Sequence, residues 1–436
     1  MPIAADTPPP LRVAVVGGGI AGLVAALALQ KRIDEGANVK LTVFEQASKF
    51  GEIGAGVSLG PNAQRVLRAL GLGKELDAVA APPGKDGGDL WFEYRVGQKG
   101  DREGEAFAQV RGKDAGRGNV HRADFLDQLI KKLPAGVAQF NHRASSYTPT
   151  ETGVQIHFEN EGASAVEVDV LVASDGIKSL LRGHMYQRKG FDMDYQRARY
   201  AEWVAWRGLI PREKYNSVFG EDAVENMMHV GQGRHILTFP VRGGSLINLV
   251  GFVRDEEHVK LGNHTGPWSE PRPKEEMLED FASFNDKIQK LLEAIDNPSI
   301  WGIFSINKLT HVSDDRVLLI GDAGHATTPH CGAGAGQAIE DAFFVAAFLT
   351  HPSILDASGP AARTRAINRA LEVYERERHP RAARVQEWSH AGGMLYEFLG
   401  PEGSDLGRMK ETLESRMGWI WEYEGEDEVR RLEELL

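Results

Sequence analysis

The sequence predicts an α/β fold: a parallel sheet assembled from separated stretches, an inserted and mainly antiparallel β-sheet, and helices at the C-terminal end. Three observations predict it. A strand, glycine turn, helix and second strand open the chain; a buried strand with another glycine-rich turn and helix returns near residue 320; β-type composition fills Ala201–Asp255 between them. With 436 residues and 42% hydrophobic content, the chain is long enough for two or three domains with a sizeable core.

Leu11–Val16 is an apolar, β-branched run that reads as a strand, and the alanine- and leucine-rich stretch from about Ile20 to Arg32 as a helix. Lys40–Glu45 (KLTVFE) is the next strand. Pro61–Leu70 reads as a helix stopped by Gly71, with proline in its first turn and glycine at its exit. Pro82–Gly118 is glycine-rich and charged around an alternating WFEYRV patch, which predicts a loop with a hairpin strand. Phe125, Leu126, Leu129 and Ile130 share one face of a helix over Arg122–Leu133. Val154–Phe158 and Val166–Ala173 are expected to pair, the second ending at the Asp175-Gly176 turn. WVAWRGLI, HILTFPV and SLINLVGFV read as antiparallel strands, followed by the polar stretch Leu261–Lys274. Val317–Ile320 restores the buried-strand pattern, Gly321–Gly336 is a glycine loop stiffened by Pro329, and a helix runs from about Gln337 to Leu349. Ala366–Leu395 and the Glu-rich end from Glu411 are expected to be helical. Residues 1–80, 105–190 and 290–350 are thus assigned to a discontinuous α/β domain, 81–104 and 191–289 to a β-rich domain, and 351–436 to a helical region.

Charge narrows the partners. Fifty Lys and Arg against 62 Asp and Glu leave a net charge of −12, with no long basic run, which argues against nucleic acid or an anionic membrane. A single cysteine, Cys331, excludes an internal disulfide framework and a cysteine-based zinc site, so no metal centre is expected. Val13–Gln30 is uncharged, but Gly17, Gly18, Gly19 and Gly22 interrupt it and no basic segment precedes it, unlike a membrane span or a secretory leader. The expectation is a cytoplasmic protein, monomeric or homodimeric.

Gly17-Gly18-Gly19-Ile20-Ala21-Gly22 satisfies G-x-G-x-x-G between a strand and a helix. Gly17 permits the tight turn, Gly19 lets the backbone approach a pyrophosphate, and Gly22 lets helix and strand pack closely. Glu45, ending the next strand, is placed to accept from ribose hydroxyls. The motif predicts a dinucleotide and does not separate NAD from FAD. Asp322 ends a second buried strand, where a carboxylate can accept from a sugar or ribityl hydroxyl, and the GAGAG run opens a helix whose bare N–H groups face whatever lies before it.

GGGIAG with Glu45, the segment GEIGAGVSLGPNAQRVLRALGLG, HRADFLDQL, ASDGIKSLLR and GDAGHATTPHCGAGAGQAIEDA together resemble the single-component FAD-dependent aromatic hydroxylases, nearest to the salicylate hydroxylases and related fungal FAD monooxygenases. The resemblance runs from about Leu11 to about Ser389. It implies a Rossmann-like domain holding FAD through Gly17, Gly19, Gly22 and Glu45, with Gly56 close to the flavin. It further implies that Arg122 reaches the phosphate or ribose side, that Asp175 serves both FAD and NAD(P)H, and that Asp322 meets the ribityl chain. Gly332, Gly334 and Ala335 would lie in the loop against the flavin ring. NADH or NADPH would reduce the flavin, and O₂ would be activated as a C4a-hydroperoxyflavin that hydroxylates a small phenolic acid. The leading expectation is salicylate to catechol with decarboxylation. The alternatives are hydroxylation of a larger phenolic or polyketide ring, or of a substituted salicylate, without decarboxylation, and a non-catalytic dinucleotide-binding protein.

The substrate residues follow. Arg207, a cation within the apolar WRGL strand, needs a fixed anionic partner, supplied by a substrate carboxylate or phenolate or by a structural ion pair. His330, just before GAGAG, is the candidate to hydrogen-bond or deprotonate a phenol, against a loop-fixing hydrogen bond. Phe239, His235 and Trp91 are assigned to the substrate pocket, His235 against the reading as a satisfied sheet histidine, with Val57, Trp206 and Phe304 as further wall candidates against ordinary core packing. Phe239 stands where some dearomatising fungal relatives carry Tyr, which favours the salicylate-type reading. His325 is read as structural.

Overall fold

The computed structural model describes residues 8–51, 56–84, 87–159, 164–257 and 267–436; the GEIGAG run and the Leu261–Lys274 stretch lie partly outside them. One sheet has six strands in the order Ser313–Asp314, Val317–Leu319, Val170–Ala173, Leu11–Val16, Val39–Phe44 and Ala138–Gln139. Every neighbouring pair is parallel except the first. Helices Ile20–Asp34 and Gly334–Leu349 pack against each other. Their buried faces carry Ala25, Ala26 and Ala28 on one and Ala342, Ala346 and Ala347 on the other, and such small side chains let two helix backbones approach closely.

The expected strand Val166–Ala173 is two strands. Val166–Val168 pairs antiparallel with Val154–Phe158 in a three-stranded sheet, whereas Val170–Ala173 joins the parallel sheet. Asp169 makes the break: its carboxylate accepts the Arg12 backbone N–H at 2.7 Å and the Arg12 guanidinium at 2.8 Å. The strand pair therefore parts at a fixed ion pair.

A second sheet has eight strands, ordered Ser269–Pro271, Ser299–Ser305, Arg199–Pro211, Leu246–Arg254, Arg234–Val241, Met227–Gly231, Leu90–Val96 and Ala106–Arg111. Its pairings are antiparallel except between Met227–Gly231 and Leu90–Val96. Helices Lys274–Asp280 and Asp286–Glu293 share an apolar core with this sheet, centred on Trp206, Phe281 and Phe284. No helix among the described residues is long and apolar enough to cross a membrane.

Helices Pro360–Val373 and His379–Tyr396 form one continuous rod interrupted by a single π-helical turn, Tyr374–Arg378. Pro380 supplies the cause: it has no N–H to return to residue 376, and its ring crowds that carbonyl, so the helix widens there. The turn delivers Arg378 into a fully buried cluster. Its Nη2 lies 2.9 Å from Asp341 Oδ1 and 3.3 Å from Glu340 Oε2, and donates to the Gln337 carbonyl at 2.9 Å. Arg381 completes the cluster with a two-pronged contact to Glu340 at 2.8 and 3.0 Å. Against the opposing effect of burial, the neighbouring His325 and Arg378 hold the Asp341 carboxyl far below its ordinary value.

Removing one member of a buried pair leaves the other charge uncompensated, so Arg378→Met should lower stability by about 3–5 kcal/mol in urea unfolding; a loss within error would show that the cluster is not holding the fold. Burial also pushes the His229 and His379 rings down from 6.5 to about 3 and about 4. The unfolded chain takes up these protons near pH 6.5 and the folded chain resists them, so their stabilisation is complete above 6.5 and is lost as pH falls toward 4 and 3. By pH 4 the two should together remove about 6 kcal/mol. Urea midpoints falling between pH 7 and 5, with a shallower slope in His229→Leu, are the expected result.

Candidate active site

A cavity of about 670 Å³ opens where both glycine-rich turns of the parallel sheet face the eight-stranded sheet. Its first wall is the Gly17–Gly19 turn. Gly17 has φ +105°, and a side chain there would meet the Ser174 carbonyl at 2.4 Å. At Gly22 a Cβ would lie 1.9 Å from the Gly17 carbonyl. Only hydrogen fits at either point, so turn, helix and strand close against one another. At Gly19 nothing stands within 4 Å of an added Cβ, which leaves the backbone open toward the cavity. Helix Ile20–Asp34 begins with no side-chain cap and no acid in its first turn, so its free N–H groups retain their capacity for an anion. Glu45 anchors the turn, with Oε2 accepting Gly18 N–H at 2.7 Å and Oε1 accepting Ala47 N–H at 2.8 Å. Each oxygen keeps acceptor capacity for a ribose hydroxyl.

The opposite wall is the Gly321–Gly336 loop. Asp341 Oδ2 accepts Gly321 N–H at 2.9 Å and pairs with His325 Nε2 at 2.5 Å, which fixes the turn that presents Asp322. Asp322 is exposed on the cavity face, and Gly332, Gly334 and Ala335 line the cavity beside it. Helix Gly334–Leu349 also starts without a side-chain cap or an early acid. Between the two walls stands Asp175, whose carboxylate accepts from Ser179 Oγ at 2.6 Å and from Leu181 N–H at 3.3 Å. Burial pushes its carboxyl up from the ordinary value.

Arg182, the last residue of the ASDGIKSLLR segment, joins the two turns. Its buried guanidinium donates to the carbonyls of Ile177 at 2.5 Å, Gln196 at 2.7 Å and Ala323 at 3.0 Å. Asn248 was not anticipated at all: it accepts Gly56 N–H at 3.2 Å, and a Cβ at Gly56 would collide with Phe239 at 2.6 Å. Strand Gly56–Ser58 is thereby laid directly on the eight-stranded sheet. A continuous backbone cradle, two uncapped helix starts and three acids placed along one cavity form a donor and acceptor set that fits FAD.

The substrate candidates separate. Arg207, Arg122, His330, Phe239, Trp91 and Val57 line the cavity. His235 does not. It is fully buried behind His330, at 5.3 Å between ring centroids, with Nδ1 bound to Glu397 Oε1 at 2.9 Å. Glu397 also accepts from Trp203 Nε1 at 2.8 Å, so this inward-facing strand residue is tied to the C-terminal helices. Trp206 and Phe304 are also displaced from the cavity: Trp206 Nε1 donates to Asp280 at 2.7 Å within the core, and Phe304 stacks on Trp268 at 3.7 Å.

Arg207 lacks the anionic partner expected of it. Among the described residues no carboxylate pairs with it. Its guanidinium instead lies 4.7 Å from the Trp301 ring centroid, with Nε buried and unbonded. Burial and the Arg122 cation push it down to about 10, which still leaves it charged at neutral pH. His330 is buried with both ring nitrogens unbonded, against the rings of Trp203 at 4.7 Å and Phe252 at 4.8 Å. Burial, followed by its histidine and arginine neighbours, holds its ring far below the usual range. The imidazole is neutral at physiological pH, equipped to hydrogen-bond and poorly equipped to hold an extracted proton.

Comparison with known proteins agrees with this geometry. The FAD-binding domain family model matches residues 10–389. A salicylate hydroxylase from Pseudomonas putida is 38% identical over 422 residues, covering 95% of this chain and 93% of its own. A 6-methylsalicylate 1-monooxygenase from Aspergillus terreus is 31% identical over 420 residues, covering 94% and 88% respectively. Among solved structures, a salicylate hydroxylase substrate complex superimposes with a TM-score of 0.84 at 35% identity, covering 98% of both chains.

Gly22→Ala should abolish retention of FAD, read as flavin absorbance relative to protein, because its methyl group meets backbone that cannot retreat. A variant that keeps its full flavin would remove this turn from the cradle.

Proposed function

This chain belongs to the FAD-binding domain family and is a flavin-dependent monooxygenase; from that premise we propose that it converts salicylate to catechol. The balance is salicylate, O₂, NAD(P)H and two protons giving catechol, CO₂, water and NAD(P)⁺. The observation that carries the reading is Arg207, a charged guanidinium with no carboxylate partner among the described residues, set in an apolar wall. A desolvated cation of this kind favours a ligand that brings its own negative charge.

When bound, FAD supplies the redox chemistry, passing two electrons from a nicotinamide to O₂ so that one oxygen reaches the ring and the other leaves as water. Gly17, Gly19, Gly22, Glu45, Asp175 and Asp322 would hold the cofactor, with Gly56, Arg122, Gly332, Gly334 and Ala335 alongside. The N–H groups opening helix Gly334–Leu349 favour negative charge in front of them. Arg207 binds the carboxylate and orients the ring. Phe239, Trp91 and Phe252 enclose that ring and exclude water. His330 accepts a hydrogen bond from the phenol and polarises it without taking full charge, as its neutral state requires. Phe239 has no hydroxyl to offer a phenolate, so that assistance falls to His330 and Arg207.

The test is a panel of hydroxybenzoates read for NAD(P)H oxidation, CO₂, hydrogen peroxide and catechol together. Stoichiometric CO₂ and catechol from salicylate are expected; hydroxylated product without CO₂ would transfer the reading to hydroxylation with the carboxylate retained. Loss of a charged hydrogen bond should lower kcat/KM of Arg207→Ala about ten- to a hundredfold while FAD content is unchanged. Equal catalytic efficiency in the variant would refute the carboxylate clamp.

A further inference from the structure

Outside the cavity, the last helices bring an aromatic ring against its wall. Trp91 lies on strand Leu90–Val96, whose register against Ala106–Arg111 shifts between Leu90 and Phe92. That irregularity allows the consecutive residues Trp91 and Phe92 both to line the cavity. Trp91 is confined on two sides. On one, a Cβ at Gly332 would stand 3.1 Å from its Cζ2. On the other is Trp421, edge-on at 5.4 Å between ring centroids and absent from the cavity lining.

Trp421 is itself held without slack. It ends the short helix Gly418–Trp421 and is 6% exposed. A Cβ at Gly60 would lie 2.8 Å from its Nε1, and one at Gly112 would lie 2.9 Å from its Cε3. Two separate backbone segments thus give up their side chains to this indole. Arginines pin the helix that carries it: Arg65 donates to the Trp421 and Tyr423 carbonyls, and Arg381 to those of Trp419 at 3.0 Å and Ile420 at 2.8 Å. Arg381 also grips Glu340, linking this helix to the Arg378 cluster. Trp91 is therefore confined on its Gly332 and Trp421 sides.

We propose that Trp421 is a specificity-determining residue that acts through Trp91, fixing the wall of the substrate chamber so that it admits a single-ring hydroxy acid and excludes a fused-ring one. The inference rests on the hydroxy-acid reading of the site. Trp421 touches neither substrate nor cofactor. It is a positioning residue, and its effect is felt as the width available to the ring. In Trp421→Ala the space behind Trp91 opens, the indole relaxes backward, and the chamber widens while Arg207 and His330 keep their places.

The experiment compares salicylate with 1-hydroxy-2-naphthoate, a salicylate bearing a second fused ring, in the purified holoenzyme. For each acid it records kcat/KM, the fraction of NAD(P)H lost to peroxide, and the dissociation constant from flavin fluorescence. In Trp421→Ala the naphthoate-to-salicylate ratio should rise about tenfold or more, as for removal of a pocket constraint. Trp421→Phe, which retains an aromatic buttress, should stay near the wild-type ratio. In a Trp91→Ala background, Trp421→Ala should change the ratio no further, because its route of action has been removed. A uniform loss on both acids with the ratio unchanged overturns the proposal, as does an undiminished Trp421 effect in the Trp91→Ala background. If Trp421→Ala loses its flavin or fails to fold, Trp421→Leu, which fills part of the space, carries the same comparison. Absence of turnover with salicylate in the wild type overturns the proposed reaction, whereas the ratio of dissociation constants still decides the wall.

Discussion

The carboxylate of Asp341 is the point on which the architecture turns. One of its oxygens receives the Gly321 backbone N–H and His325, and the other faces Arg378. It therefore joins a strand end, the helix that follows the glycine loop, and the long C-terminal rod at one buried position. A charge taken so far from water is tolerable only because each contact is satisfied by a donor or cation. The same contacts hold the glycine loop at a fixed distance from the Gly17–Gly19 turn, and Arg182 ties the loop to the Asp175 segment. The cofactor cradle is thus assembled by buried polar links between elements distant in sequence.

The two sheets divide the labour. The parallel sheet ends its strands in turns that expose backbone, which suits a large cofactor recognised through phosphate and sugar groups. The antiparallel sheet presents side chains across its face, which suits a small ring recognised by shape and one charge. Arg207 belongs to the second surface. Its strand is paired on both sides, so its backbone position is set, and the Trp301 ring limits where its guanidinium can go.

Much of this was legible in the sequence because it rests on backbone. Gly17 and Gly22 announce themselves, since a side chain at either would strike backbone. Asp175, Glu45 and Asp322 are legible because each ends a strand and begins a turn. The failures share one physical origin: a side chain's destination depends on partners far along the chain. His235 alternates correctly for an inward-facing strand residue, yet Glu397 claims it from behind. Asp169 splits an apparently continuous strand through Arg12, a residue no local pattern connects with it. Trp206 and Trp91 look alike as tryptophans in strands, and only the tertiary arrangement sends one to the core and the other to the cavity. Asn248 carries no sequence signal for its contact with Gly56.

The π-helical turn at Tyr374–Arg378 has a consequence beyond the accommodation of Pro380. One additional residue per turn rotates everything downstream by about 100° around the helix axis. Ser389, whose hydroxyl donates to the Thr328 carbonyl at 2.5 Å and accepts Cys331 N–H at 3.2 Å, meets the loop beside His330 only in that phase. The rod consequently works as an indexed shaft. A lineage that inserted or deleted one residue there would swing Arg381 and Ser389 off their marks together, so its length can drift only at the ends.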